Sequence, residues 1–450
     1  MPPEAPGTLP SVTSREEIAK REIGVTAVSP AVAWFLLVAF LIALGIVPLF
    51  EWARTRATGE AASAWSHLTE LGNRVPATLA QAGAPDAPVG WWRRLVAVNR
   101  EVLAALTAFE NALEDESHLG RLLRPPTQWV LSGWLGAGNE RAYVGRDGWL
   151  FYRPDVDYVT SRGFLQPSQL ERRRITASEW ERPPQADPRP AILSFKRQLE
   201  ARGIALIVMP TPVKPTIHPA QLARGTVRAD KPVQNPSYDE FIADLRQEGV
   251  LVFDPSEALV RAAREYGQPQ YLATDTHWRP EAMELAALGL REFLDAHVPL
   301  PPVGDPGYRA ERISIEGTGD ILLMLDLPPG QTLYPPETVL INRVQARDGA
   351  LWRPAREADV LVLGDSFSNI YSLASMNWGE SAGLTEQLSY LLKRPLDRIV
   401  QNDDAAFATR ALLRRSLAGS GDRLTGKRVV IYQFAARELA SGDWQILELR

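Results

Sequence analysis

Two short segments carry residues that could perform acyl-transfer chemistry: Thr274-Asp275-Thr276-His277-Trp278 and, further along, Gly364-Asp365-Ser366-Phe367-Ser368. The run 359–363 ahead of that glycine predicts a buried parallel strand, short and almost wholly apolar. A serine between such a strand and a helix presents its hydroxyl at a sharp turn. Its backbone N–H then lies near a helix N-terminus, where developing negative charge is stabilised. Asp275 and His277 are two apart, so on an extended segment both side chains project from one face. A carboxylate there can hold the imidazole Nδ1–H and leave Nε2 to accept a proton from Ser366. Each half alone has a plainer reading: a turn for Gly-Asp-Ser, and the start of a helix with a hydrogen-bonded histidine for Asp-x-His-Trp. Together they favour Ser366 as nucleophile, His277 as base and Asp275 as the carboxylate that orients the base. Ser368 is a rival nucleophile, but the turn position favours Ser366 and leaves Ser368 to cap the following helix. Asp365 is expected to hydrogen-bond the turn.

The surrounding pattern alternates helices and strands. Helices are expected at 191–202, 238–248, 280–296, 384–393 and 405–417, with Pro280 at a first helical turn. Strands are expected at 204–209, 250–253, 359–363, 396–400 and 428–434. Five parallel strands joined by helices imply an α/β, doubly wound, mainly parallel sheet whose C-terminal loops form the site. The stretch 297–358 lacks clean helix signals, holds a β-like run at 338–344, and reads as an insertion.

Upstream, residues 31–50 form an uncharged apolar run of 20 residues, long enough as a helix to cross about 30 Å of hydrocarbon. Trp34 and Trp52 lie near its ends, as interface aromatics do. An uncleaved transmembrane helix is preferred to a secretory signal, whose apolar core is shorter. Residues 1–30, rich in Pro, Ser and Glu, read as a disordered cytoplasmic tail, with the large domain exported. Residues 51–139 read as a helical extension, either a spacer or docking region or a hairpin packed on the main domain. A helix is expected at 96–114, with breaks at 83–90 and 124–126. The domain proper runs from 140 to 450. A net charge of −5 gives no sign of a nucleic-acid partner. The absence of cysteine excludes disulfides, thiolate metal sites and cysteine nucleophiles.

From Val144 onward the chain resembles the alginate O-acetyltransferase family, the AlgJ/AlgX group, whose catalytic domain is a variant of the GDSL/SGNH hydrolase fold. The resemblance is carried by Val144-Gly-Arg-Asp-Gly-Trp-Leu-Phe-Tyr152, Pro210-Thr-Pro-Val-Lys-Pro-Thr-Ile-His-Pro219, Asp275-Thr-His-Trp278, Gly317-Thr-Gly-Asp320 with Leu325-Asp-Leu-Pro328, and Gly364-Asp-Ser-Phe-Ser368. The Asp/His pair precedes the serine, as in that family's permuted arrangement. The resemblance implies a three-layer α/β/α SGNH-like fold and a membrane-anchored, AlgJ-like type. It implies Ser366, His277 and Asp275 as a triad acting through an acetyl-serine intermediate, with no cofactor. It also implies a bacterial inner-membrane, single-pass protein with a periplasmic catalytic domain. Its substrate would be an exopolysaccharide, and its partner and acetyl source a multipass membrane-bound acyltransferase of the MBOAT type.

An oxyanion needs about two donors, and the Ser366 N–H is the first candidate. Gly383 could offer a second backbone N–H, and Gln433 or Arg437 a side chain; the plainer readings are a loop turn and a surface charge. Lys214 could meet an anionic sugar or simply be solvated. Tyr371 and Trp378 suit core packing better than sugar stacking. Three other functions compete. A metal-dependent deacetylase would use Asp275 and His277, with His218 as the candidate third ligand, whose spacing is not convincing. A carbohydrate acetylesterase and a non-catalytic, membrane-anchored scaffold are the others.

Overall fold

The computed structural model describes residues 29–58, 64–81, 91–115, 117–175, 183–223, 230–402, 405–417 and 421–449. The expected tail lies outside them over residues 1–28, as does the whole of the expected break at 83–90. The chain divides into two compact units, residues 1–124 and 125–450.

In the first unit the apolar run lies within the helix Pro30–Thr58, which is long and apolar enough to cross a bilayer. Helices Ala64–Gln81 and Trp91–Asp115 pack on each other, with Trp65 edge-on to Phe109 at 5.2 Å. The expected break at 124–126 is absent. Pro125 and Pro126 lie inside the helix His118–Leu135; each keeps a helical φ but loses an N–H bond and crowds the carbonyl of the preceding turn, a cost the helix bears.

The second unit is built on β1 (Ala142–Val144), β2 (Leu150–Tyr152), β3 (Ala205–Thr211), β4 (Leu251–Val252), β5 (Arg309–Gly317), β6 (Glu337–Gln345), β7 (Val360–Gly364), β8 (Asp397–Val400) and β9 (Val429–Ala435). The central sheet has the order β4-β3-β9-β7-β8, and every pairing is parallel. Alternate residues face opposite layers, as a strand's period of two requires. Ile207, Met209, Val360, Val362, Val429 and Ile431 enter one apolar cluster with the helices Ser256–Tyr266, Pro280–His297 and Leu384–Leu392. Leu206, Val208, Leu361, Leu363, Val430 and Tyr432 enter the other with Pro188–Glu200, Tyr238–Gln247 and Ala405–Leu417. This is the expected three-layer, doubly wound arrangement.

Two parts differ from expectation. The helix Ser256–Tyr266 separates β4 from the Asp275–His277 segment, so that segment does not follow a strand. Its amphipathic positions Leu259, Val260 and Ala262 are buried, and Gly267 ends it at a left-handed φ of 63°. The stretch 297–358 is not a passive insertion. It holds the antiparallel hairpin β5–β6 and the short helix Asp320–Met324, and both reach the site.

Candidate active site

The chain reverses last between β3 and β7, where β9 inserts, and the C-terminal ends of these three strands meet. There Gln433 of β9 accepts from the Asp365 N–H (2.9 Å) and donates to Thr211 Oγ1 (2.9 Å) and to Asp365 Oδ1 (2.7 Å). Asp365 Oδ2 accepts from Ala435 N–H (2.6 Å), and Oδ1 accepts from Phe367 N–H (2.8 Å). Asp365 is therefore the cap of the following helix, the role expected of Ser368. Ser368 instead turns its hydroxyl back onto the Asp365 carbonyl (2.8 Å) and is buried. A Cβ on Gly364 would come within 2.2 Å of Ser368 Oγ, so the turn needs glycine there for close approach. Ser366 stands at the first position of the helix Ser366–Asn369, where a backbone N–H has no intrahelical acceptor.

The Asp275–His277 segment reaches this elbow through a loop closed by a bridge between Tyr271 and Trp278. It is bent, not extended, so the shared-face argument fails. Asp275 meets His277 because its Oδ1 accepts both the His277 backbone N–H (3.0 Å) and Nδ1 (2.6 Å), as in an Asx turn. Trp278 Nε1 donates to the Phe367 carbonyl (2.9 Å), and the His277 ring lies edge-on to Phe367, 4.8 Å between centroids. The imidazole is thus fixed beside the residue that follows Ser366. Its Nε2 is buried and makes no hydrogen bond.

Asp275 Oδ2 accepts from Trp378 Nε1 (2.8 Å) and from the Asp320 N–H (3.0 Å). Burial alone would raise its pKa, but the hydrogen bond and charge of His277, with those donors, hold it down at about 2. Burial disfavours the charged imidazole too, yet Asp275, and then Asp320, outweigh it and raise the His277 pKa. Tyr371, also fully buried, donates to the Trp278 carbonyl (2.7 Å). Trp378 and Tyr371 are therefore interior supports.

Two acidic residues of the 297–358 stretch hold the loop, and neither was singled out from the sequence for a role. Glu337 accepts from the Ala273 and Thr274 N–H groups (3.0 Å each). Asp320 Oδ1 accepts from the Thr276 N–H (2.7 Å) and Thr276 Oγ1 (3.1 Å), and its Oδ2 lies 3.9 Å from His277 Nδ1. Its carboxyl is pushed up to about 6, by burial first and then by the Asp275 charge. The one sequence signal was Gly319, where a Cβ would come within 2.2 Å of the Thr274 carbonyl.

Asp275, His277 and Asp320 form a group of the kind that can hold a metal ion. However, Nδ1 and Oδ1 at 2.6 Å share a proton, whereas two ligands on one tetrahedral zinc stand about 3.3 Å apart. His218 is not in this group. Its Nε2 accepts from the Gln270 N–H (2.9 Å), its ring packs on Trp149, and burial beside Lys214 lowers its pKa to about 4.

The four further candidates are placed as follows. Gln433 is wholly engaged in building the elbow, with its amide turned toward Asp365 and Thr211. Gly383 caps the helix Leu384–Leu392 and packs against Ser372 and the Ser368 carbonyl. Lys214 is buried and donates to the Leu150 (2.7 Å) and Ala273 (3.2 Å) carbonyls, fastening the β1–β2 hairpin to the histidine loop. Burial lowers its pKa to about 8. Arg437 donates to the buried Asp155 (2.9 Å), and its guanidinium lies 5.7 Å from the Phe367 ring centre. Of the four, Arg437 is the one whose charge borders the elbow.

A serine elbow and an Asp-His pair on a doubly wound parallel sheet make an arrangement of the SGNH type. The family model described as "SGNH hydrolase-like domain, acetyltransferase AlgX" matches residues 142–435, and the chain belongs to that family. Among curated proteins it is similar to a "Probable alginate O-acetylase AlgJ" of Pseudomonas fluorescens, 30% identical over 202 residues (43% of this chain, 48% of the relative). The protein of the same description from Pseudomonas aeruginosa PAO1 is 26% identical over 268 residues (56% and 60%). The chain thus spans about half the length of these relatives. Solved structures that resemble it include the O-acetyltransferase domain of Pseudomonas putida AlgJ, at 21% identity and a TM-score of 0.48, covering 66% of this chain and 92% of that one. Pseudomonas aeruginosa AlgX is another, at 15% identity and a TM-score of 0.43, covering 66% and 65%.

Proposed function

We propose that this protein is a serine-type O-acetyltransferase acting on an exopolysaccharide, alginate or a related polymer, through an acetyl-Ser366 intermediate. One observation carries the reading. His277 has its Nδ1 bound to Asp275 and its Nε2 buried without a partner beside the Ser366 elbow. An unpaired buried nitrogen is costly, and it is what a base awaiting the nucleophile's proton requires. Catalytic hydrogen bonds commonly tighten only once substrate is bound.

Ser366 Oγ attacks the acetyl carbonyl while His277 Nε2 takes its proton. The tetrahedral oxyanion is met by the Ser366 N–H, with Arg437 as the neighbouring cation. Collapse expels the donor's leaving group, which takes the proton from Nε2, and leaves acetyl-Ser366. A sugar hydroxyl then gives its proton to Nε2 as it attacks the ester, and Nε2 passes that proton to Ser366 Oγ as the acetylated sugar departs, restoring the serine and the neutral imidazole. Asp275 stays ionised throughout and stabilises the imidazolium. The helix Pro30–Thr58 would hold the chain in a bacterial inner membrane with the catalytic unit in the periplasm. A multipass, MBOAT-type acyltransferase would supply the acetyl group.

The test is intact-protein mass spectrometry after brief exposure to an activated acetyl ester, comparing wild type with Ser366→Ala, Ser368→Ala and Asp275→Asn. An acetyl adduct lost in Ser366→Ala, kept in Ser368→Ala and slowed by about 10³–10⁴ in Asp275→Asn is expected. An adduct that survives Ser366→Ala would sink the assignment, and no adduct in any variant would favour the scaffold. Transfer of the adduct to added oligosaccharide faster than to water separates a transferase from an esterase.

A further inference from the structure

We propose that the helical hairpin Ala64–Gln81/Trp91–Asp115 lies in the headgroup layer of the lipid bilayer, seated by an apolar stripe on its second helix. The inference rests on the anchoring of the chain by Pro30–Thr58. The open end of the hairpin is tied to the end of that helix's apolar run. Trp65 Nε1 donates to the Pro48 carbonyl (3.3 Å), and Trp65 packs on Phe109 across the hairpin. Glu51, itself buried, accepts from Ser117 Oγ (3.0 Å), the His118 N–H (2.6 Å) and the Leu119 N–H (3.2 Å). Pro48 and Glu51 bracket Phe50, the last residue of the apolar run, so these bonds hold the hairpin where the anchor leaves the hydrocarbon.

The second helix of the hairpin has two apolar faces. Ala105, Phe109 and Ala112 turn inward and are covered. About a third of a turn round the axis, Leu95 (53% exposed), Val96 (52%), Leu103 (54%) and Leu106 (40%) form a stripe that no described residue covers. Asn99 and Glu110 fall on the same line, which suits headgroup depth better than the hydrocarbon centre. A helix tethered at the bilayer surface meets that surface at a local concentration no diffusing partner matches. Lipid is therefore the occupant the connectivity favours.

The chain has no cysteine, so single spin labels report unambiguously. The full-length chain would be reconstituted in vesicles of phosphatidylethanolamine and phosphatidylglycerol. It would be labelled one site at a time at Leu41→Cys within the anchor, Leu103→Cys and Leu106→Cys on the stripe, and Asn111→Cys on the polar flank. Collision with oxygen reports lipid, and collision with a water-soluble nickel chelate reports water. Stripe labels that side with Leu41→Cys, while Asn111→Cys sides with water, are expected. Stripe labels as open to nickel as Asn111→Cys would overturn the inference and leave the anchor standing. Stripe labels shielded from both probes would overturn it in favour of a protein partner. A water-exposed Leu41→Cys would remove the anchor itself, and this inference with it.

Discussion

Replacing Asp320 by Asn removes one charge beside the His277 imidazole and little else. The Asn carbonyl can still accept from Thr276, and the backbone N–H of residue 320 still donates to Asp275. Asp320 Oδ2 lies 3.9 Å from His277 Nδ1, and the side chain is 35% exposed. At that separation two unit charges interact by about 1 kcal/mol in water and about 4 kcal/mol at a protein surface. Such exposure places this pair toward the lower figure, or about one pH unit at about 1.4 kcal/mol per unit. Asp320 itself is pushed up to about 6 and the imidazole upward from its usual value, so Asp320 is largely ionised while the imidazole titrates, and the expected shift is about half to one unit. The sign follows from the charge. Loss of a nearby anion disfavours the imidazolium, His277 loses its proton at lower pH, and the base becomes available earlier. The assay is the burst of p-nitrophenol released from p-nitrophenyl acetate, followed over roughly pH 5 to 9. The rising limb should move to lower pH, with the plateau rate changed by less than about tenfold. An unmoved or alkaline-shifted limb, or a plateau that collapses, would refute the electrostatic account of Asp320.

Other outcomes follow from the same geometry. Trp378→Phe removes a donor to the Asp275 carboxylate and should slow acetyl-enzyme formation about tenfold to a hundredfold, the worth of a hydrogen bond to a buried charge. Gln433→Leu leaves the Asp365 N–H and the Thr211 hydroxyl unpaired in the core. Denaturant unfolding should register a loss of about 2–5 kcal/mol. Gly319→Ala forces a methyl against the Thr274 backbone and should cost about 1–3 kcal/mol, together with most of the burst amplitude. A strong chelator should leave the burst rate unchanged, and a rate that falls with chelation and returns with zinc would revive the metal reading.

Much of the frame was legible because its signals are local. The buried strands β3, β7 and β9 are short apolar runs, and Pro280 marks its helix. The Ser366 elbow was visible for the same reason, since Gly364, Asp365 and Ser366 are adjacent. The helix Ser256–Tyr266 carried an ordinary amphipathic signal in a stretch assigned no element. What lay beyond local reading was the support of the histidine. Asp320, Glu337 and Trp378 reach Asp275, Thr274 and Ala273 from distant stretches; apart from the Gly317–Asp320 block around Asp320, nothing in their immediate neighbours marks them out. Gln433, Lys214 and Gly383 were singled out for their chemistry and position, but their partners were invisible. An amide, an ammonium and a glycine near a strand end can face substrate or fasten the walls, and only the fold decides which.

The position of β9 has a consequence for how the protein matures. It is the last strand of the central sheet in sequence, yet it lies in the middle, with β3–β4 on one side and β7–β8 on the other. Until it inserts, the two halves face each other with unpaired backbone edges, which invite mispairing. The elbow is also unfinished, since Asp365 takes its bonds from Gln433 and Ala435 of that strand. A chain emerging stepwise from a ribosome or translocation channel therefore carries Ser366 long before its turn is complete. The finished elbow arrives only with closure of the sheet, a long-range pairing that is intrinsically slow. Under the proposed function, this couples the first acyl transfer to the completion of folding.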